Sequence, residues 1–234
     1  MVGWMRLQEQ ESAAIARNTK VELHLIRHGQ TNWNKERRAQ GHSESQLTEL
    51  GIQQAQNLGR RIVDLEFDAI FCSSSLRARQ TAEHIFTASN SPICYLDQLR
   101  EIYLGPWEGH LYDDIAKREP ESYQHFWHQP HLFQIEGAES FFQLQQRAVD
   151  AIAEIQAQQP STNSKHNKVA VISHGALIKA YLCYVEGLTI SELWTPPLMH
   201  NCAHSIVKFN LDKDGKKEPN ILQYADQPVT NLHS

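Results

Sequence analysis

Apolar residues along this chain follow two patterns that alternate with each other. Short runs of consecutive apolar residues predict buried strands, and apolar residues that recur every three or four positions predict amphipathic helices. The predicted strands lie at residues 21–26, 69–72, 92–96, 169–173, 205–210 and 221–224. The predicted helices lie at residues 48–65, 75–87, 110–159 (with breaks near 129–130 and 137) and 175–186. This alternation favours an α/β fold, a three-layer αβα sandwich with a mostly parallel sheet.

The chain is expected to divide into an N-terminal extension and one domain. Residues 1–19 are polar and lack a strong apolar stripe, so at most a loose amphipathic helix is expected from Trp4 to Ile15. Residues 20–234 suit a single domain, because a chain of 234 residues with 41% hydrophobic content can build one sizeable core. We expect residues from about 103 to 140 to form a helical insertion that covers the functional site.

The amino-acid composition of the chain limits which binding partners are expected. A net charge of −5 gives no reason to expect nucleic acid or a membrane. The sequence has no run of about 18 apolar residues and no apolar signal-peptide segment, so the expected location is the cytoplasm. The cysteines show no C-x-x-C spacing and are expected to be free, buried thiols. They are Cys72, Cys94, Cys183 and Cys202.

Side chains suited to phosphate chemistry follow three of the predicted strands. Arg27 and His28 follow the first strand, Arg77 comes shortly after the second, and His174 follows the most apolar one. Ligands of such sheets bind at the carboxyl ends of the strands, so these residues are expected to surround one site. The serines at 73–75 are expected to cap the helix that follows them.

These residue types match what phosphoryl transfer requires. The planar fork of arginine binds the phosphoryl oxygens through paired hydrogen bonds. A neutral imidazole can attack phosphorus and form a covalent intermediate that water later hydrolyses. A carboxyl group must protonate the departing alkoxide, and Glu101 is the candidate. Each residue alone has an ordinary structural explanation, so the argument depends on their joint placement.

The local sequence resembles a known family. Residues 25–34, LIRHGQTNWN, closely resemble the phosphohistidine signature of the histidine phosphatase superfamily, also called the phosphoglycerate mutase-like family. Further segments match in the family's order across residues 21–209. They are residues 38–41 (RAQG), Leu47-Thr48 with Gly51, and residues 77–82 (RARQTA), 99–101 (LRE), 105–109 (GPWEG) and 173–175 (SHG).

The resemblance implies a role for each matched residue. It makes His28 the nucleophile and Glu101 the proton donor of a phosphomonoester hydrolase that needs neither metal nor cofactor. The residues that it implies for phosphoryl binding are Arg27, Asn34, Gln40, Arg77 and His174, with Asn34 and Gln40 nearer the rim. Arg79, two positions further along the same helix as Arg77, is expected to point elsewhere. Gly29 and Gly175 suit a close approach of backbone to an anion.

A phosphoglycerate mutase on the same core is the first alternative. Residues 101–109, EIYLGPWEG, resemble the phosphatase branch rather than the E-R-x-Y-G-x-L-x-G segment of the mutases. The segment between Glu101 and His174 is also too short for the long basic insertion of those mutases. The resemblance therefore favours hydrolysis of a small-molecule phosphate ester.

Two other classes are open alternatives. A zinc enzyme is suggested by His125, His128 and His131, but Pro130 interrupts their helix and no further ligand completes a zinc spacing. A non-catalytic phosphate-binding protein is less favoured, because such a protein is expected to have lost the nucleophile or the acid.

The predicted insertion is rich in aromatic residues. We expect them to pack the insertion against the sheet, and a wall that contacts substrate is the alternative. They are Trp107, Tyr112, Tyr123, Phe126, Trp127 and Phe133. Few basic residues occur there, which favours a single phosphate ester; a sugar phosphate, ribazole phosphate and phosphoserine all stay open.

Two loops leave questions open. Ala138 replaces the second glycine of the family's G-G-E-S segment, so a role for Glu139 in orienting the site is in doubt. The apolar residues 194–199, WTPPLM, suit a homodimer interface or a loop folded over the sheet edge.

Overall fold

The computed structural model describes residues 20–87, 89, 91–160, 167–211 and 217–229. The N-terminal extension, with the helix considered from Trp4 to Ile15, lies outside the described residues. Within the described part, one sheet carries helices on both faces.

The sheet has seven described strands in the order β3-β2-β4-β1-β5-β6-β7. They are β1 (Val21–Arg27), β2 (Ala69–Ser73), β3 (Ile93–Leu96), β4 (Asn167–Ser173), β5 (His204–Leu211), β6 (Lys217–Tyr224) and β7 (Gln227–Pro228). The first four are parallel to one another, and β5, β6 and β7 extend the sheet in antiparallel fashion. The sheet is therefore mixed with a parallel core, and the predicted α/β class is confirmed.

Apart from α1, which lies in a polar segment where no helix is predicted, the helices lie within the segments that the apolar periodicity predicts. They are α1 (Asn32–Glu36), α2 (Glu49–Arg61), α3 (Leu76–Ile85), α4 (Tyr112–Arg118), α5 (Pro120–His128), α6 (Phe141–Ala157) and α7 (Gly175–Val185). Short 3-10 turns occupy Asp97–Leu99, Gly105–Trp107, Pro130–Leu132 and Ile190–Glu192.

The central strands bury side chains on both faces. On β1, Leu23 and Leu25 join the apolar layer formed with α6 and α7, whereas Ile26 joins the layer formed with α2 and α3. Val171 and Ile172 on β4 divide in the same way. Strands covered on both faces need apolar residues at successive positions, which explains their continuous apolar sequence.

Helix starts depend on side-chain caps at some places and not at others. Thr48 caps α2 by accepting a hydrogen bond from the Gly51 N–H at 3.0 Å. The prediction that the serines at 73–75 cap α3 is wrong. Ser75 occupies the cap position, but its side chain makes no cap hydrogen bond. Its hydroxyl lies instead 3.3 Å from the imidazole of His174.

The parallel core brings the predicted site residues to one edge. Arg27 at the end of β1 pairs with Ser173 at the end of β4, so His28 and His174 leave the sheet side by side. The His28 N–H extends the pairing by donating to the Ser173 carbonyl at 3.0 Å. Strand β2 pairs with β4 on its other side, which brings Arg77 to the same edge.

The cysteines follow the burial of their strands and helices. All four are free, and Cys72, Cys183 and Cys202 are buried as predicted. Cys94 is exposed, which corrects the prediction, because it lies on the edge strand β3. None of the helices that the structure describes is long and apolar enough to cross a membrane.

Candidate active site

His28 lies directly after β1 and is 2% exposed. Its Nδ1 atom lies 2.7 Å from the Gly29 carbonyl oxygen. A carbonyl can only accept, so Nδ1 carries the hydrogen and Nε2 keeps its lone pair. Burial, and then the positive charges of Arg77 and Arg27, hold the pKa of His28 well below 6.5. The ring is therefore a neutral imidazole with a free lone pair at neutral pH.

Arg77 is fixed by the backbone of a neighbouring loop. It lies in the first turn of α3, where Nη1 donates to the Ser43 carbonyl at 2.9 Å and Nη2 donates to the Gly41 carbonyl at 2.8 Å. Burial lowers the pKa of Arg77 to about 10, so its guanidinium stays charged at neutral pH. Arg79 on the same helix is exposed, and its guanidinium lies over the Tyr95 ring at 5.1 Å. The predicted separation of these two arginines is confirmed.

Arg27 is fixed from the opposite side. Its Nη1 donates to the Met199 carbonyl. Gly175 packs against it so closely that a Cβ at position 175 would lie 3.3 Å from Arg27 Nε. Glycine at position 175 therefore has a packing reason, because a methyl group there would press on the guanidinium; the predicted approach of its backbone to an anion stays a prediction. Burial lowers the pKa of Arg27, and the nearby Glu101 opposes that shift.

His174 lies directly after β4 and is fully buried. Its ring centroid is 5.2 Å from that of His28. Its Nε2 atom lies 2.8 Å from the Ser73 hydroxyl and 3.3 Å from the Ser75 hydroxyl. Burial, and then the charge of Arg77, hold the pKa of His174 well below 6.5, so this ring is also neutral.

Glu101 reaches the site at the N-terminus of α7. Its Oε1 accepts from the N–H groups of Ile102 at 3.0 Å and Leu177 at 3.1 Å. Its Oε2 accepts from the N–H of Ala176 at 3.1 Å. The first turn of a helix offers such donors and favours a negative charge. Because α7 begins immediately after His174, this arrangement holds the carboxyl group at the end of β4, in the lining of the same cavity as His28.

Asn34 and Gln40 are oriented by bonds to their carbonyl oxygens. Asn34 Oδ1 accepts from the Thr31 N–H at 3.1 Å and from Asn201 Nδ2 at 3.2 Å. Gln40 Oε1 accepts from the Thr31 hydroxyl at 3.0 Å and the Ser45 hydroxyl at 2.6 Å. With these oxygens engaged, the NH₂ groups are the parts that both amides can offer to a ligand.

Sequence reasoning missed the residue that braces the Glu101 segment. Arg147 on α6 binds the Glu139 carboxylate through Nε at 2.9 Å and Nη2 at 2.7 Å. It also donates to the carbonyls of Arg100 at 2.8 Å and Glu101 at 3.1 Å. Glu139 in turn accepts from the Tyr103 N–H at 3.1 Å. Glu139 thus braces the segment that carries Glu101 despite Ala138, and no local pattern marks Arg147.

One cavity of about 410 Å³ gathers most of the predicted site residues. Those that line it are Arg27, His28, Asn34, Gln40, Arg77 and Glu101. His174 does not line the cavity but packs beside His28. A volume of this size suits a small-molecule ligand.

The insertion contributes to both packing and cavity. Trp107 and Phe133 are buried and their rings are 5.3 Å apart, as the packing interpretation expects. Tyr112, Phe126 and Trp127 also line the cavity, as the alternative of a wall that contacts substrate expects. From the 194–199 segment, the residues that line the cavity are Trp194, Leu198 and Met199.

The three histidines considered for zinc lie at the end of the insertion. His125 and His128 are on α5, and His131 follows Pro130 in the next turn. Within the part of the chain that the structure describes, no group of three or more His, Cys, Asp or Glu side chains could hold a metal ion.

Comparison with known families matches what the motifs imply. The model of the histidine phosphatase superfamily (branch 1) matches residues 23–221. The chain therefore belongs to the histidine phosphatase superfamily, branch 1, and its relatives are mostly phosphatases.

Individual relatives cover most of the chain. The metal-independent phosphoserine phosphatase of Arabidopsis thaliana is 34% identical over 177 residues, which cover 74% of this chain and 72% of that protein. The probable phosphoglycerate mutase GpmB of Salmonella choleraesuis is 32% identical over 169 residues, which cover 72% of this chain and 76% of that protein. The solved structure of Bacillus stearothermophilus YhfR is similar with a TM-score of 0.80 and 36% identity, covering 88% of this chain and 97% of that chain.

Proposed function

We propose that this protein is a metal-independent phosphatase that hydrolyses small-molecule phosphomonoesters through a phosphohistidine intermediate on His28. The observation that carries the proposal is a neutral imidazole with a free Nε2, surrounded by two charged guanidinium groups at the end of a ligand-sized cavity. Such a constellation suits a nucleophile that receives an anion.

Unsatisfied guanidinium donors in the cavity lining support a phosphoryl site. Arg27 Nε and Arg77 Nε are buried and have no hydrogen-bond partner among the described residues. A buried polar group without a partner costs about 1–3 kcal/mol. Phosphoryl oxygens can accept from such donors, so binding of a phosphate ester would recover part of this free energy.

In the first step, Nε2 of His28 attacks phosphorus and the bond between phosphorus and the alcohol oxygen breaks. Protonated Glu101 gives its proton to that oxygen, so the alcohol leaves neutral. Arg27 and Arg77 stabilise the charge on the equatorial phosphoryl oxygens, and the Nδ1–H bond to Gly29 holds the imidazole in place.

In the second step, the Glu101 carboxylate takes a proton from water as the water oxygen attacks phosphorus. The nitrogen–phosphorus bond breaks, inorganic phosphate forms and His28 returns to its neutral state. Glu101 is then protonated and ready for another cycle, so one group serves both steps.

The direct test is trapping of the intermediate. The protein, kept in EDTA, is mixed with a ³²P-labelled phosphomonoester and quenched in alkali, where phosphohistidine survives. We expect a labelled protein and hydrolysis by the wild type and neither with His28→Ala. His131→Ala, which changes an exposed histidine, is the matched control and should behave as wild type.

Mutase activity on the same core is the second candidate, because two relatives are named as probable phosphoglycerate mutases. Both activities use a phosphohistidine, and only the acceptor differs. Interconversion of 2- and 3-phosphoglycerate that depends on a bisphosphate primer and exceeds hydrolysis would replace the phosphatase proposal. Loss of all activity in EDTA, restored by one metal ion, would contradict metal independence.

A further inference from the structure

The two sides of the cavity differ in chemistry. The sheet side carries the charged donors Arg27 and Arg77 beside His28. The insertion and the 194–199 segment contribute aromatic rings instead, and these are Tyr112, Phe126, Trp127 and Trp194. We call these four residues the aromatic wall.

The aromatic wall is a continuous surface. Trp127 lies at the centre of it, with ring centroids 4.8 Å from Phe126, 5.4 Å from Tyr112 and 5.4 Å from Trp194. The Trp194 Nε1 donates to the Phe126 carbonyl at 2.6 Å, which ties the 194–199 segment to α5. Aromatic rings that line a cavity offer apolar area that suits contact with a planar group.

The other basic side chains that line the cavity already hold polar partners. Lys179 donates to the carbonyls of Thr195 and, at 3.4 Å, Pro197. Arg38 lies 2.8 Å from the Glu36 carboxylate.

His200 lies 3.2 Å from the Asp226 carboxylate, so it is paired in the same way. Among the described residues that line the cavity, Glu101 is the only carboxylate, and three backbone N–H groups already hold it.

This pairing disfavours a charged leaving alcohol. The carboxylate of phosphoserine, or a second phosphate, would have to displace partners that Arg38, Lys179 or His200 already hold. The ammonium of phosphoserine would have to compete with the three N–H groups that hold Glu101. Removing a charge from water without a free partner is costly. An uncharged ring loses nothing comparable and gains apolar contact.

Space permits such a ring. The cavity of about 410 Å³ falls within the range of small-molecule sites. Tyr112 and Trp127 also line a neighbouring cavity of about 510 Å³.

We propose that the preferred substrates are phosphate monoesters of alcohols that carry an uncharged aromatic ring, which stacks on the aromatic wall around Trp127. This inference rests on the proposed phosphatase function and names its substrate class. It separates this chain in specificity from its relative named as a phosphoserine phosphatase.

The test compares four esters whose leaving alcohols are similarly basic, so that rates report on recognition. They are 2-phenylethyl phosphate, 2-cyclohexylethyl phosphate, ethyl phosphate and phosphoserine. We expect kcat/KM for 2-phenylethyl phosphate to exceed that for ethyl phosphate and phosphoserine by about tenfold or more. 2-Cyclohexylethyl phosphate should fall between, because it offers apolar area without a planar face.

Variants locate the effect. Trp127→Leu should lower kcat/KM for 2-phenylethyl phosphate about tenfold, mainly by raising KM, with a much smaller loss for ethyl phosphate, which reaches little of the wall. Trp127→Phe should keep much of the preference. Phe142→Leu, which changes an exposed aromatic residue outside the cavity, is the matched control and should match wild type.

Each failure has a distinct meaning. Phosphoserine hydrolysed as well as 2-phenylethyl phosphate would overturn the substrate class and leave the phosphatase function standing. Equal rates for the phenyl and cyclohexyl esters would overturn recognition by stacking. Hydrolysis of none of the four esters would contradict the phosphatase function itself.

Discussion

The Nε2 atom of His174 lies 2.8 Å from the hydroxyl oxygen of Ser73, so the ends of two neighbouring strands are joined by their side chains. Ser73 is the last residue of β2 and is fully buried. The bond fixes the His174 ring against the ring of His28, so it helps to hold the proposed nucleophile in position. Ser73 is therefore a positioning residue in the proposed mechanism.

Replacing Ser73 with alanine should loosen His174. We expect kcat/KM to fall about tenfold, since small displacements of groups around a reacting atom reduce rates strongly. The free energy of unfolding should also fall by about 1 kcal/mol because a buried hydrogen bond is lost. Ser74→Ala, which removes a hydroxyl bonded to Asp97 near the surface, is the control. A stability loss with unchanged kinetics would show that Ser73 is only structural.

Arg77→Lys should be far more damaging than its conservative appearance suggests. Lysine keeps the charge but cannot donate to the Gly41 and Ser43 carbonyls while presenting a planar fork to phosphate. We expect kcat/KM to fall about 10²-fold and inorganic phosphate to inhibit more weakly. Arg79→Lys on the same helix provides the comparison and should leave both quantities unchanged. Similar losses in the two variants would contradict the assignment of Arg77.

Glu101→Gln should separate substrates by the basicity of their leaving group. A basic alkoxide needs the proton that Glu101 supplies, so kcat/KM should fall about 10²- to 10⁴-fold. The para-nitrophenolate ion leaves without that proton, so the first step with para-nitrophenyl phosphate should be affected much less. Rapid-quench measurement of phosphoenzyme formation tests this step alone. Equal losses with both kinds of ester would mean that Glu101 only stabilises the start of α7.

The parallel core of the sheet could be predicted because its sequence signal is local. β1 and β4 are buried on both faces, so their continuous apolar runs identify them directly. His28 and His174 could be placed together because both follow predicted parallel strands, and the carboxyl ends of parallel strands meet at the edge where ligands bind. The antiparallel addition of β5 and β6 depends on pairing across the sheet, which no local pattern records.

The supporting contacts of the site were harder to predict. Arg147 binds backbone carbonyls 46 and 47 positions away, so its role depends on tertiary contact. Ser75 occupies a cap position, and the sequence suggests a cap, yet the imidazole of His174 engages its hydroxyl. For both Arg147 and Ser75, a polar contact with residues far away in the sequence determines what the side chain does.

Buried neutral histidines should make the protein less stable in acid. Burial, and then His24 and Arg61, lower the pKa of His204 to about 3, and the pKa values of His28 and His174 are also well below 6.5. Below pH 6.5 the unfolded chain binds protons at these histidines and the folded protein does not, so the free energy of unfolding decreases as pH falls. For His204 this window runs from about pH 6.5 down to about pH 3.

His204→Asn tests this dependence, since asparagine keeps a hydrogen-bonding group near His24 but takes up no proton. Each such histidine contributes a slope of about 1.4 kcal/mol per pH unit. At pH 6.5 the unfolded histidine is only half protonated, so the slope reaches its full value below that pH. Urea unfolding of wild type and variant between pH 6.5 and 5 should therefore show a shallower loss for the variant, by about 1.5 kcal/mol over that interval. His131→Asn changes an exposed histidine and serves as the control. Parallel curves for wild type and His204→Asn would show that His204 is not the neutral buried histidine described above.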